Sequence, residues 1–244
     1  MPITARGVRR RAFVSTATIV ANAAFLAGTR GLESALVDVR ADAYGHGLVP
    51  VARALAAAGI AGFVVSHADD RERLVGHIGH SAIRVFDADD DGTPVDMLGP
   101  ATYGLSTPQS SVKPAMRLVA EAVAVKTVAG GRGVSYGYTY HTSAQTTLVL
   151  AGLGYADGIP RIASNRAPVV IAGKRGTVTG RIAMDQFVVD IGESTVTVGG
   201  DVVLFGDGQL DEPTVLDWAE ATGLRPEVIV SGLGPRIERV YSAS

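Results

Sequence analysis

The sequence predicts an α/β segment followed by an all-β segment, and three observations carry that prediction. Apolar β-type runs alternate with helical patterns over roughly the first third of the chain. From about Ser110 onward the apolar runs become short, and glycine-containing turns separate them. The 244 residues, 47% hydrophobic and 19% charged, suffice for one large or two modest packed domains and are too apolar for a disordered chain.

Arg9, Arg10 and Arg11 precede an apolar run from Ala12 to Gly28. A basic cluster before such a run has the outline of a signal peptide. Ser15, Thr16, Thr18 and Asn22 interrupt its apolar core, however, so a strand followed by a helix is expected. No run reaches about 18 apolar residues, and no membrane span is expected. Ala35 to Val39 reads as a short strand ending at Arg40, followed by the turn Gly45-His46-Gly47. Leu48 to Ala58 has Val51, Leu55 and Ala58 at helical spacing. Gly62 to Val65 is a second strand, Asp69 to Ile78 a helix with an acidic first turn, and Ala82 to Phe86 a third strand. The β-α-β-α-β order predicts parallel strands with right-handed crossovers. Asp87 to Thr93 is acidic but lacks the closing Glu and flanking helices of a calcium loop, so a solvated loop is expected.

In the second segment Val119–Val128, Thr146–Leu150, Val169–Ile171, Gly176–Thr179, Phe187–Ile191, Thr195–Val198 and Val202–Phe205 are β-type runs. They predict an antiparallel barrel or sandwich. Pro213 to Gly223 reads as a helix with Val215, Leu216, Ala219 and Ala221 inward, and Glu227 to Tyr241 is expected to close the domain. The expected division is 1–112 and 113–244, with the N-terminal strand able to join the β domain and the junction at Ser106 to Pro114.

A net charge of −2 gives no basis for nucleic-acid binding. The absence of cysteine excludes disulfides, thiolate ligands and cysteine nucleophiles, and suits a cytoplasmic location. Lysine chemistry has three candidates, Lys113, Lys126 and Lys174. His46 reads as a structural turn residue. His67, His77, His80 and His141 lack metal-ligand spacing, and no metal site is expected.

Five stretches stand out: Val39-Arg-Ala-Asp-Ala-Tyr-Gly-His-Gly47, Val134-Ser-Tyr-Gly-Tyr-Thr-Tyr140, Gly152-Leu-Gly-Tyr-Ala-Asp-Gly-Ile-Pro-Arg161, Gly180-Arg-Ile-Ala-Met-Asp-Gln-Phe-Val-Val-Asp190 and Gly234-Pro-Arg-Ile-Glu-Arg-Val-Tyr241. Together, in this order, they resemble the signature segments of alanine racemase, from about Ala12 to Tyr241. The resemblance implies a pyridoxal-phosphate-binding α/β barrel of the TIM type followed by a C-terminal antiparallel β domain. It also implies a head-to-tail dimer with alanine as substrate, for cell-wall precursor supply. In such enzymes a lysine on the first barrel strand holds the cofactor and acts as one base, and a tyrosine from the partner's β domain is the other.

Carried over residue by residue, the cofactor lysine falls on Arg40, whose guanidinium cannot form an imine. The basic residue near the cofactor's ring nitrogen falls on Met97. The phosphate-holding N–H pair falls on Gly99 and Pro100, and proline has no N–H. Tyr44 and Tyr241 match phosphate-contacting tyrosines. Tyr155 matches the second base, and Met184 and Asp185 match the substrate-side segment beside it, with Asp157 on the same surface. A complete barrel needs about 200 residues or more. Only about 80 lie between the first strand and the β segment here, which fits a remnant of about four strands closed as a small α/β layer or covered by a second copy. Four readings follow: a racemase homologue without catalysis and without bound cofactor, a functional alanine racemase, an accessory subunit that pairs with a complete racemase and lends it Tyr155, and a broken gene product that barely folds.

Overall fold

The computed structural model describes residues 7–78, 81–85, 97–106 and 112–243. The acidic loop Asp87–Thr93, Phe86 and His80 lie outside the described residues. The chain forms two compact units that do not follow a single cut through the sequence. A β unit comprises Met1–Ala12, Arg117–Leu224 and Leu233–Glu238; a parallel-sheet unit comprises Phe13–Met116, Arg225–Gly232 and Arg239–Ser244. The main crossover between the units falls at Met116–Arg117.

Strand β1 (Arg10–Ser15) runs directly into helix α1 (Thr16–Ala27). The polar residues that interrupt this apolar run satisfy backbone groups. Ser15 Oγ accepts from the Thr18 N–H at 3.1 Å and caps the helix. Asn22 is buried because its amide donates to the Thr102 and Lys113 carbonyls at 3.1 and 2.8 Å and accepts from the Lys113 N–H at 3.0 Å. Strand β2 (Leu36–Asp38), helix α2 (Leu48–Ala57), β3 (Gly62–Val65), α3 (Ala68–Val75), β4 (Ala82–Val85) and β5 (Met97–Leu98) follow. The four strands form one parallel sheet in the order β4-β3-β2-β5. This is part of a barrel-like arrangement, with β5 on the side of β2 opposite β3. Helix α2 buries Leu48, Val51, Ala52 and Leu55, a stripe at helical spacing; Ala58 sits past its end and is exposed.

The β unit contains β6 (Met116–Val128), the short hairpin β7 (Gly133–Val134) and β8 (Tyr140–His141), then β9 (Thr146–Ala151), β10 (Pro168–Ile171), β11 (Lys174–Thr179), β12 (Phe187–Asp190) and β13 (Asp201–Phe205). The strand order is β13-β10-β11-β12-β9-β6, and β6 pairs back to β13, so these six strands close on themselves. Strand β6 pairs with β13 up to Glu121 and with β9 from Ala122 onward, and an irregularity follows at once between Ala122 and Ala124. Val149, Ala151, Val169, Val178, Phe187, Val189 and Val202 alternate into the core. Helix α4 (Val215–Thr222) begins with a reciprocal Thr214–Asp217 capping box and buries Trp218, whose Nε1–H is shared between the Leu204 and Pro168 carbonyls at 2.7 and 2.9 Å. Helix α5 (Pro226–Ser231) lies in the parallel-sheet unit, and β14 (Glu238–Ser242) contributes residues to both units.

Three expectations are corrected. Thr195–Val198 is not a strand: Val198 is 62% exposed, and backbone bonds to β6 begin only beyond this segment, at Gly199 and Gly200. The inner stripe of α4 is Val215, Trp218 and Thr222 rather than Val215, Leu216, Ala219 and Ala221, because the indole takes the buried face. The tail from Glu227 does not close the β domain alone, since Arg225–Gly232 and Arg239–Ser244 group with the parallel sheet. Among the described residues no helix is long and apolar enough to cross a membrane.

Candidate functional site

The end of β2 is the most elaborately held point of the parallel-sheet unit. After Arg40, Ala41, Asp42, Ala43 and Tyr44 take φ values of 52–56°, a full left-handed turn made without glycine. Each such residue costs about 1–2 kcal/mol, so the turn persists only because its surroundings impose it. The Ala43 N–H donates to the Val39 carbonyl, Gly45 to Ala41, His46 to Ala43 and Gly47 to Asp42, at 2.9–3.0 Å. Asp42 Oδ1 accepts from the Leu48 N–H at 2.9 Å and caps α2. The buried His46 ring bonds through Nδ1 to the Ala43 and Tyr44 carbonyls at 3.0 and 3.1 Å, which makes Nδ1 the protonated nitrogen. Gly47 has φ +100°, and a Cβ there would lie 2.0 Å from the Tyr241 hydroxyl.

Asp38 is the centre of this turn, 1% exposed in the middle of the sheet. Its Oδ1 accepts from the Arg40 N–H at 3.1 Å and Arg40 Nε at 2.8 Å; its Oδ2 accepts from Arg40 Nη2 and the Tyr44 hydroxyl, both at 2.6 Å. This is a two-pronged charge-assisted pair with a phenol added. The Asp38 hydrogen bond and charge hold Arg40 more firmly in its charged form than an ordinary arginine. Burial, with Asp38 as acceptor, pushes the Tyr44 phenol up as well. The buried Tyr103 hydroxyl donates to the Asp38 carbonyl at 2.8 Å, and its ring packs 5.2 Å from Tyr44 and 4.8 Å from His46.

The residues singled out from sequence thus fall into two groups. Arg40 and Tyr44 meet directly on Asp38. Met97, on β5, pairs with Leu36 of β2, so Gly99 follows beside the level of Asp38 and Pro100 opens the short turn that carries Tyr103. Tyr241 stands over Gly47, and Arg239 Nε donates to the Gly45 carbonyl at 3.2 Å. Asp38 and Tyr103 went unnoticed in the sequence. The available signal was an acid inside an otherwise apolar strand, Ala35-Leu-Val-Asp-Val39.

Tyr155, Asp157, Met184 and Asp185 lie together in the β unit. The Tyr155 and Ala156 N–H groups donate to the Ala183 and Met184 carbonyls at 3.0 and 2.9 Å. Gly154 has no room for a side chain, since a Cβ would lie 2.4 Å from both carbonyls. Asp157 is fully buried. It accepts from the Gly154 N–H at 2.9 Å and from Arg236 Nε at 2.8 Å, and Arg10 stands 3.4 Å away. Arg236 also binds Asp185 at 2.7 Å. The Tyr155 ring is presented outward, 39% exposed, with the Arg161 guanidinium 5.5 Å over it; Arg161 also reaches the Tyr136 hydroxyl at 2.6 Å. Met184 is 53% exposed. Among the described residues no His, Asp or Glu cluster is built to hold a metal.

Comparison with known proteins identifies the family. Residues 14–128 match the family profile "Alanine racemase, N-terminal domain", and residues 115–241 match "Alanine racemase, C-terminal domain". Alanine racemases of Thermobifida fusca and Streptomyces coelicolor are each 51% identical over 150 residues, covering 60% and 59% of this chain but 40% and 38% of their own length. The chain therefore spans about two fifths of the length of these relatives in sequence. Solved alanine racemases of Streptomyces lavendulae and Streptomyces coelicolor superpose with TM-scores of 0.83 and 0.82 at 27% and 30% identity, covering 98% and 97% of this chain and 98% of theirs. The chain belongs to the alanine racemase family.

Proposed function

We propose that this chain is a family member that does not racemise alanine by itself. The observation that carries this reading is the Arg40–Asp38 pair at the position that the family resemblance assigns to the cofactor lysine. Pyridoxal phosphate does not fit this strand end as a covalent ligand. A guanidinium keeps its charge and offers no neutral primary amine. The N–H lost at Pro100 and the thioether at Met97 point the same way. Chain length supports the reading too. The 150 residues aligned with the Thermobifida fusca relative are 40% of that protein's length, in keeping with a family member that keeps only part of the barrel.

The test is direct. The purified protein, given pyridoxal phosphate and then borohydride, is expected to show no adduct on β2 or the turn after it. It is also expected not to exchange the α-proton of alanine in deuterated water. Robust exchange would overturn the proposal.

A second reading is favoured by the outward Tyr155 and Met184. In it, the β unit keeps a surface for another chain, a second copy or a complete racemase, to which it supplies Tyr155. Co-expression with a complete racemase checks this: a mixed pair should form, and Tyr155→Phe should lower its activity without affecting assembly. A strict monomer that captures no complete racemase ends it.

A further inference from the structure

Replacing the missing lysine would not, on this structure, recreate an amine able to react. We infer that Asp38, and not the absence of a lysine alone, bars this strand end from capturing an aldehyde cofactor. The inference rests on reading position 40 as the family's cofactor-lysine position.

A carboxylate has about four lone-pair sites, and Asp38 fills four with donors from Arg40 and Tyr44. The carboxylate is buried, and among the described residues Arg40 is the cation paired with it. Tyr44 comes from the adjoining turn and Tyr103 from the segment after β5, and both are phenols. A lysine placed at position 40 would inherit the role of counter-ion. An opposite charge within about 4–6 Å favours the protonated amine. Removing that proton would also strand Asp38 as a buried unpaired anion. Imine formation needs the neutral amine: its nitrogen adds to the aldehyde carbon and water leaves. Borohydride then delivers hydride to the imine carbon and leaves a stable secondary amine. Each unit by which the ammonium is stabilised removes tenfold of the reactive form.

The experiment compares the full chain with Arg40→Lys, Asp38→Asn and the double variant. Each is treated with pyridoxal phosphate and borohydride and mapped by peptide mass, with Lys113, Lys126 and Lys174 as internal references. At neutral pH the double variant should label at position 40 at least about tenfold faster than Arg40→Lys, and the gap should close as pH rises. Equal labelling of the two at neutral pH overturns the inference. So does a double variant that stays unlabelled at position 40 while the reference lysines react. Arg40→Lys preserves the charge pair, so a second measurement needs only that variant. The pH dependence of its modification should place the amine introduced at position 40 above the ordinary lysine value of about 10.4, and a lower value refutes the lock. Exchange of the alanine α-proton by the unaltered protein would instead overturn the non-racemising reading and leave the Asp38 comparison standing.

Discussion

Lowering the pH from 7 to 4 should cost the parallel-sheet unit on the order of 3 kcal/mol through one side chain, His46. The ring is fully buried against Tyr103, and its one N–H is committed to the Ala43 and Tyr44 carbonyls. Burial is the main cause that pushes its pKa down to about 4. The two carbonyls oppose the shift, Arg239 adds to it, and Asp42 opposes it. In the unfolded chain the same ring titrates near its ordinary value of about 6.5. On acidification the unfolded state therefore binds the proton first. The stability from the neutral ring is fully present above about pH 6.5, falls from there, and is gone near pH 4. At about 1.4 kcal/mol per unit, the difference is a large share of a typical domain stability of about 5–15 kcal/mol. Urea unfolding of the chain and of His46→Gln at several pH values, followed by exchange of the amides of residues 39–47, measures it. Carboxylates titrating in the same window are common to both proteins and cancel in the difference. Parallel stability–pH curves for the two proteins would refute the assignment.

Three further outcomes are expected. Asp157→Ala should destabilise the β unit by about 1–3 kcal/mol, because the buried Gly154 N–H loses its acceptor and Arg10 loses its buried partner; a loss below about 1 kcal/mol in Trp218-monitored urea unfolding would contradict this. Trp218→Ala should cost about 3–5 kcal/mol, since it opens a cavity against Phe205 and removes the donor to Leu204 and Pro168; circular dichroism in urea gives the number. Gly47→Ala should destabilise through both its positive φ and the clash with Tyr241, and Tyr241→Phe should relieve part of that loss. A double-mutant cycle with no coupling would show that the two residues do not share the space.

The elements that sequence made legible are those with a strong local period. Leu48–Ala57 carries its apolar stripe, Gly62–Val65 is a continuous apolar run, and the helix read between Pro213 and Gly223 is α4. Thr195–Val198 misleads because alternation of threonine and valine records propensity, while a strand also needs a free edge to pair with. Tyr155 and Arg40 were visible through the signature segments they sit in. The Asp38 lock was not, because it depends on side chains from a strand, a turn and a distant segment meeting on one residue. The left-handed turn was equally hidden: Ala41, Asp42, Ala43 and Tyr44 carry no glycine signal for positive φ.

That turn also constrains the order in which the chain can fold. Four left-handed residues at about 1–2 kcal/mol each make the conformation roughly a thousandfold to a millionfold rarer than its alternatives in an unstructured chain. It cannot nucleate folding locally. It needs β3 already beside β2, where the Val39 N–H finds the Val64 carbonyl at 3.0 Å, and α2 already wound so that Asp42 has an N–H to cap. Amides from Ala41 to Gly47 should then gain protection among the last in the unit. Substitutions that loosen the turn should speed unfolding and leave the folding rate almost unchanged, because what they remove is absent from the transition state.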